Sequence, residues 1–145
     1  MRVSIKTTPC VLVTFLLSFF SFLVSPITVS YDTSYDDASR NLDTIACSDG
    51  TNGLLTKNYA TQGSLPSFPR IGGASVITGW NSESCGTCWT LTYNHTSINV
   101  LAIDHASQGF NIAKAAMDSL TGGHATAFGR VDANYTQAEP SDCRM

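Results

Sequence analysis

The strongest constraint on this chain is where its cysteines fall. There are five, at positions 10, 47, 85, 88 and 143. The first sits in an N-terminal stretch unlike the rest. Residues 1–30 hold two basic residues, Arg2 and Lys6, and no Asp or Glu. From Val11 to Val24 every residue is apolar, Ser or Thr. A positive start followed by an apolar run too short for the ~20 residues of a bilayer span reads as a secretory signal. Small residues at Thr28 and Ser30 place the expected cleavage near Ser30, leaving a domain over residues 31–145. No second apolar run follows, so the expected product is secreted and extracellular, with no membrane partner. Cys10 leaves with the leader. Cys47, Cys85, Cys88 and Cys143 remain, an even set in an oxidising compartment.

Four cysteines allow three pairings. A Cys85–Cys88 bridge would close a tiny loop and staple nothing. The other two pairings close long loops, and each such bridge contributes about 4 kcal/mol in the chain-entropy account. Cys85-Gly86-Thr87-Cys88 also has the spacing of a redox dithiol. Its context argues against that use, because Trp89 to Tyr93 alternates bulky and hydroxyl side chains like a strand and opens no helix. His95, His105 and His124 stand at no ligand spacing from one another or from the cysteines, so no metal and no cofactor is expected.

Charge narrows the function classes. Residues 31–145 carry 6 Lys+Arg and 11 Asp+Glu, a net charge of 6 − 11 = −5. That excludes a basic surface for sequence-independent nucleic-acid binding. The charged fraction is low while apolar residues are plentiful, which argues against disorder. The length leaves no room for a nucleotide-binding domain plus a second one.

Short apolar runs cut by Gly, Ser, Asn and Pro fill the rest. All 11 glycines lie after Ser30, marking many turns. Leu42–Cys47, Trp89–Tyr93, Ile98–Ile103, Ala125–Val131 and Tyr135–Ala138 are predicted strands, with a hairpin tip at Asn94–Ser97. One helix is predicted. Asn111 would cap it, Ile112, Ala116 and Leu120 would share its apolar face, and Gly122-Gly123 would end it. The pattern predicts a small β-barrel with helical decoration and two bridges.

The run Gly79-Trp80-Asn81-Ser82-Glu83-Ser84-Cys85-Gly86-Thr87-Cys88-Trp89 resembles the signature of the cerato-platanin family of small secreted fungal proteins. Val29-Ser30-Tyr31-Asp32, Ala46-Cys47-Ser48-Asp49-Gly50, Pro66-Ser67-Phe68-Pro69, Ile71-Gly72-Gly73, Gly109-Phe110-Asn111 and Gly129-Arg130-Val131-Asp132 fit in order. The resemblance spans nearly the whole chain after the leader. It implies a six-stranded double-psi β-barrel, shared with expansin and barwin domains, with bridges Cys47–Cys85 and Cys88–Cys143. It also implies binding of chitin or N-acetylglucosamine oligomers, wall loosening without clear hydrolysis, association with the cell wall, and recognition by plants as an elicitor through an immune receptor. The chain departs from the family at Asn94, where a glycosylation sequon replaces the loop, and after Cys143, where only Arg144-Met145 follow.

Candidate site residues come from chemistry beside that resemblance. Asp104 ends an apolar strand and would project at a barrel mouth, or else bond nearby amides as turn aspartates do. Hydrolysis of a glycoside usually needs a second carboxyl group about 5–9.5 Å away. Asp32, Asp49 and Asp132 are the choices, each in a turn or strand context. Binding a sugar needs less: aromatic faces and fixed polar groups. Tyr31, Trp80, Trp89, Phe110 and Tyr135 are the aromatic choices, with Trp89 expected in the core and Trp80 on the surface. Asp32, Asp104, Asn111 and Arg130 could meet hydroxyl groups. The expected function is non-catalytic polysaccharide binding. Its rivals are a surface-active, self-assembling wall protein and a weak glycoside hydrolase working through Asp104. Asn94-His95-Thr96 and Asn134-Tyr135-Thr136 are N-glycosylation sequons. Asn94 is expected to be the more accessible, because Asn134 borders two predicted strands.

Overall fold

The structure is a computed structural model and describes residues 25–145. The leader features Arg2, Lys6, Cys10 and Val11–Val24 lie outside the described residues. Six strands form among them: β1 Ile27–Tyr31, β2 Ile71–Ala74, β3 Cys88–Tyr93, β4 Thr96–His105, β5 Phe110–Ile112 and β6 Arg130–Ala138. They close into a barrel in the order β1-β5-β2-β4-β3-β6. The β1–β5 and β2–β4 pairs are parallel and the others antiparallel. This is the double-psi barrel that the resemblance implies.

Side-chain alternation fills the barrel. Val29, Leu91, Val100, Leu101, Ile103, Phe110 and Ile112 are all buried. In β1 and β5 the residues between them face outward, as a period of two requires. Two helices cover one side, α1 Lys114–Thr121 and α2 Ala125–Phe128. Ala116, Met117 and Leu120 bury the inner face of α1, and Gly122 ends it in the left-handed conformation, as the sequence predicts.

Bridges join Cys47 to Cys85 and Cys88 to Cys143. The first ties a layer of turns, roughly residues 32–70, to the loop before β3. That layer holds short 3-10 turns at Thr33–Asp36, Leu42–Thr44, Leu55–Lys57 and Gln62–Ser64. The second ties β3 to the 3-10 turn Pro140–Cys143.

Several expectations are corrected. Leu42–Cys47 is no strand: it begins as a turn whose Leu42 and Ile45, three positions apart, are buried, so a short apolar run here serves a turn packed on the core. Ala125–Val131 splits into α2 and the start of β6, separated by Gly129 at φ 64°. The predicted helix starts at Lys114 rather than after Asn111, which belongs to β5. The barrel also takes in Ile27–Ser30, which the expected cleavage site assigns to the leader. Ile27 pairs with Ala133 and Ser30 with Arg130. Strands β1, β2 and β5 escape sequence reading because they are short, at five, four and three residues.

Asn94 and His95 sit at the β3–β4 hairpin tip with φ of 44° and 66°, the left-handed pair that a tight hairpin demands. Asn134 lies within β6 opposite Thr92. Both asparagines are exposed, so strand context does not hide Asn134.

Candidate functional site

Strand register brings residues far apart in sequence into one line. Arg130 of β6 pairs with Ser30 of β1. Ser30 pairs with Asn111 of β5, Asn111 with Gly73 of β2, and Gly73 with Asp104 of β4. Their chain neighbours Val29, Phe110, Ile112, Ile103 and Val131 are buried, which turns the polar side chains of the row outward. Four strand spacings make the row roughly 19 Å long.

The row is shaped and tied. Ser30 Oγ donates to Asn111 Oδ1 at 3.1 Å, and Arg130 Nη1 donates to Thr28 Oγ1 at 2.7 Å. Together with His105, Ser107 and Gln108, the residues Ser30, Asn111 and Arg130 line a shallow cavity of about 290 Å3. The His105 ring packs its Nδ1 2.6 Å from the Ile77 carbonyl. A carbonyl only accepts, so Nδ1 carries the proton there. Gly73 keeps the floor low. A Cβ at that position would lie 3.0 Å from the His105 carbonyl and 3.2 Å from the Tyr35 hydroxyl.

Asp104 closes the far end. Its Oδ1 accepts the amides of Ala46 at 2.9 Å and His105 at 2.8 Å, and its Oδ2 accepts the Tyr35 hydroxyl at 3.1 Å. Burial, then the Asp104 charge and hydrogen bond, push the Tyr35 phenol well above its ordinary range. Tyr35 therefore stays a donor at every physiological pH. Asp104 thus stands in the row and bonds nearby amides, as the turn reading has it.

The other expected site residues scatter. Asp32 Oδ1 accepts the Ser34 amide at 2.8 Å and caps the turn Thr33–Asp36. Tyr31 is half-buried against the core. Phe110 is 1% exposed; it packs against Trp89 and Tyr135 and offers no ring face to a ligand, because the alternation that turns Asn111 outward turns Phe110 inward. Trp89 is buried as expected, while Trp80 is 64% exposed. The Trp80 indole Nε1 donates to Asp49 Oδ1 at 2.6 Å, three residues on from the Ala46 amide that Asp104 holds. Asp132 pairs with Thr28 in the β1–β6 ladder.

Sequence reasoning missed Ser30, Gly73, His105 and Tyr35, and of the two duties it gave Asn111 the helix cap is not found, since α1 starts after Ala113. The helix is capped from a distance instead. Asp36 accepts the Lys114 amide at 2.7 Å and the Ala115 amide at 2.9 Å. That leaves Asn111 free for the row. The available signal was Gly72-Gly73, a pair with no side chains where strands crowd.

The cerato-platanin family profile matches residues 27–145. The chain belongs to the cerato-platanin family. It is 53% identical over 118 residues to Allergen Asp f 15 of Aspergillus fumigatus, covering 81% of this chain and 77% of that protein. Cerato-platanin 3 from M. perniciosa superposes with a TM-score of 0.80 at 47% identity, covering 83% of this chain and 99% of that one. The fungal elicitor cerato-platanin superposes with a TM-score of 0.73 at 42% identity, covering 80% and 95%. These relatives bear the names of elicitors and allergens. Among the described residues no helix is long and apolar enough to cross a membrane. No group of three His, Cys, Asp or Glu among them is placed to hold a metal.

Proposed function

We propose that the protein is secreted and binds cell-wall polysaccharide, with a chitin or N-acetylglucosamine oligomer lying along the row from Arg130 to Asp104. The observation that carries this reading is the register itself. Ser30, Asn111, Gly73 and Asp104 make a shallow polar track without side-chain bulk at its centre, matched to an extended chain that offers hydroxyl and amide groups. Any loosening of the wall, or recognition of the protein by a plant immune receptor, would follow from that binding.

Binding without hydrolysis is favoured by how Asp104 is used. Both its oxygens already accept hydrogen bonds, and their donors are a hydroxyl and two amides. A retaining or inverting mechanism needs a second carboxyl group facing the same bond.

The test is an amide-shift titration of the protein with a chitin oligomer, alongside an assay for released reducing ends. Saturable shifts at Ser30, Gly73, Asp104 and Asn111 with no new reducing ends are expected. Absence of shifts at millimolar oligomer overturns the reading, and film formation at an air–water interface would then support the surface-active alternative. Reducing ends that disappear in Asp104→Asn would establish the hydrolase.

A further inference from the structure

A second cavity lies away from the row. It also measures about 290 Å3 and is lined by Ser67, Phe68, Pro69 and Arg70, by Asn99 of β4, and by the last turn with Arg144. Asn99 precedes Asp104 by five positions, roughly 16 Å along an extended strand. The two cavities are therefore separate sites.

Charge sets this one apart. Of the six Lys+Arg in residues 31–145, two line this cavity, Arg70 and Arg144. Among the described residues the one ion pair joins Lys114 to Asp118, so neither arginine is held in an ion pair. One carboxylate, Asp142, lines the same cavity, and its Oδ2 accepts the Glu139 amide at 3.2 Å. Two unpaired guanidinium groups beside one cavity, in a domain of net charge −5, suit a planar oxyanion held through paired N–H donors.

The rest of the lining fits more than a lone ion. Phe68 and Pro69 give an apolar wall for one face of a ring. Asn99 Oδ1 accepts from Thr90 Oγ1 at 2.8 Å, which leaves its amide N–H groups as donors. Ser67 Oγ is buried without a hydrogen-bond partner. Turning it toward the cavity breaks no existing bond and would satisfy it. Carboxylate donors, a ring wall and hydroxyl partners together describe a sugar acid. We propose that this cavity binds a hexuronic acid unit of an acidic polysaccharide, its carboxylate held between Arg70 and Arg144.

The test uses the full chain expressed in a secreting yeast and collected in its processed, 15N-labelled form. Titration with trigalacturonic acid should shift the amides of Arg70, Asn99 and Arg144 saturably, leaving Ser30 and Asn111 unmoved. Arg70→Gln and Arg144→Gln should each weaken binding roughly tenfold or more, the loss expected for one charged hydrogen-bonding group. Arg130→Gln should leave it unchanged. Both arginines are exposed, so neither change should disturb folding, which a thermal melt checks. The proposal is overturned if these amides do not move, if acetate binds as tightly as the trimer, if a neutral N-acetylglucosamine oligomer moves the same amides equally, or if Arg130→Gln weakens binding as much as Arg70→Gln. A neutral oligomer that moves only the row supports the function proposed above and leaves this result to stand by itself.

Discussion

The barrel and the layer of turns over residues 32–70 are assembled differently. In the barrel every strand pairs on both sides, and backbone groups satisfy one another. The layer has a single isolated bridge, Asn41 to Thr61. Its backbone groups bond one another through scattered turn and loop contacts, such as the Leu42 amide to the Ala60 carbonyl, the Leu54 amide to the Cys47 carbonyl and the Gly63 amide to the Ala38 carbonyl, and a few side chains add anchors. Buried Gln62 donates Nε2 to the carbonyls of Ser34 at 2.9 Å and Asp37 at 2.8 Å. Asp104 accepts the Ala46 amide, and the Cys47–Cys85 bridge pins the middle. The barrel is thus held by a continuous strand ladder, while the layer is held by separate turn bonds and pinned to the rest by a few side-chain and disulfide anchors. The row of candidate ligand residues runs across the barrel and meets the layer at Asp104.

The largest expected effect tests the barrel side. A chain beginning at Tyr31 lacks Ile27–Ser30, and with them fully buried Val29 and most of the ladder to β5 and β6. It leaves an opened barrel with two unpaired edges. It should show no cooperative melt, whereas a chain beginning at Ser25 should melt cooperatively. Any processed form collected from a secreting host should accordingly start N-terminal to Ile27 when its mass is read. Equal melts for the two chains would show that closure contributes little.

The next effect separates the two bridges. Each long loop, of 38 or 55 positions, should cost about 4 kcal/mol when opened. The similar cost should appear in different places. Replacing Cys47 and Cys85 with Ser should speed amide exchange in the layer first, around Leu42 to Leu65. Replacing Cys88 and Cys143 should speed it in the last turn and at the end of β3. Identical exchange patterns would erase the distinction between distributed and pinned regions.

That distinction also explains what could be read from the sequence. The β3–β4 hairpin was legible because Trp89–Tyr93 and Ile98–Ile103 alternate around a polar tip. The α1 stop at Gly122 was legible for the same local reason. The layer was not, since Leu42, Ile45, Leu54 and Leu65 are buried singly by long-range contacts that leave no period. The site was half legible. Asp104, Asn111 and Arg130 could be named as polar residues beside apolar ones. Their alignment with Ser30 and Gly73 depends on pairings between strands distant in sequence, two of them parallel, which no local pattern encodes. The distant cap from Asp36 was invisible for the same reason.

A smaller effect probes the junction of the two regions. Asp104→Asn keeps an oxygen for the amides of Ala46 and His105 but sets an N–H group toward the Tyr35 hydroxyl. Loss of a charged hydrogen bond costs about 1.5–3 kcal/mol when buried, and the half-buried position of Asp104 puts the expected loss near the lower end. Tyr35→Phe should cost less and leave the Ala46 contact intact. Chemical denaturation measures both. A stability unchanged in Asp104→Asn would mean that the layer does not depend on this anchor.

The smallest effect is a pH dependence that should appear separately in each region. In the layer, the Ser39 hydroxyl and amide, with the Arg40 amide, hold the Asp37 carboxyl below its usual value of 3.8. On the barrel side, Lys114 and then the Ala125 amide do the same for Asp118. A carboxyl lowered in the folded state contributes stability above its unfolded value, and that contribution disappears as pH falls through the folded value. Both contributions should therefore be complete at neutral pH and lost below 3.8. Lys114 has the opposite sign. Its pKa is raised above 10.5 chiefly by the Asp118 hydrogen bond, so its share holds below 10.5 and fades as pH climbs through the raised folded value. Asp118→Asn keeps an oxygen for the Ala125 amide, 3.0 Å away, and removes the charge and the acceptor that Lys114 uses. It should flatten the acid and alkaline limbs near α1 while leaving the acid limb at Asp37 untouched. Carboxyl-carbon NMR titration reads the two sites independently. If Asp118→Asn also moved the Asp37 titration, the layer and the barrel would be electrostatically coupled, and the two regions could no longer be treated as separately held.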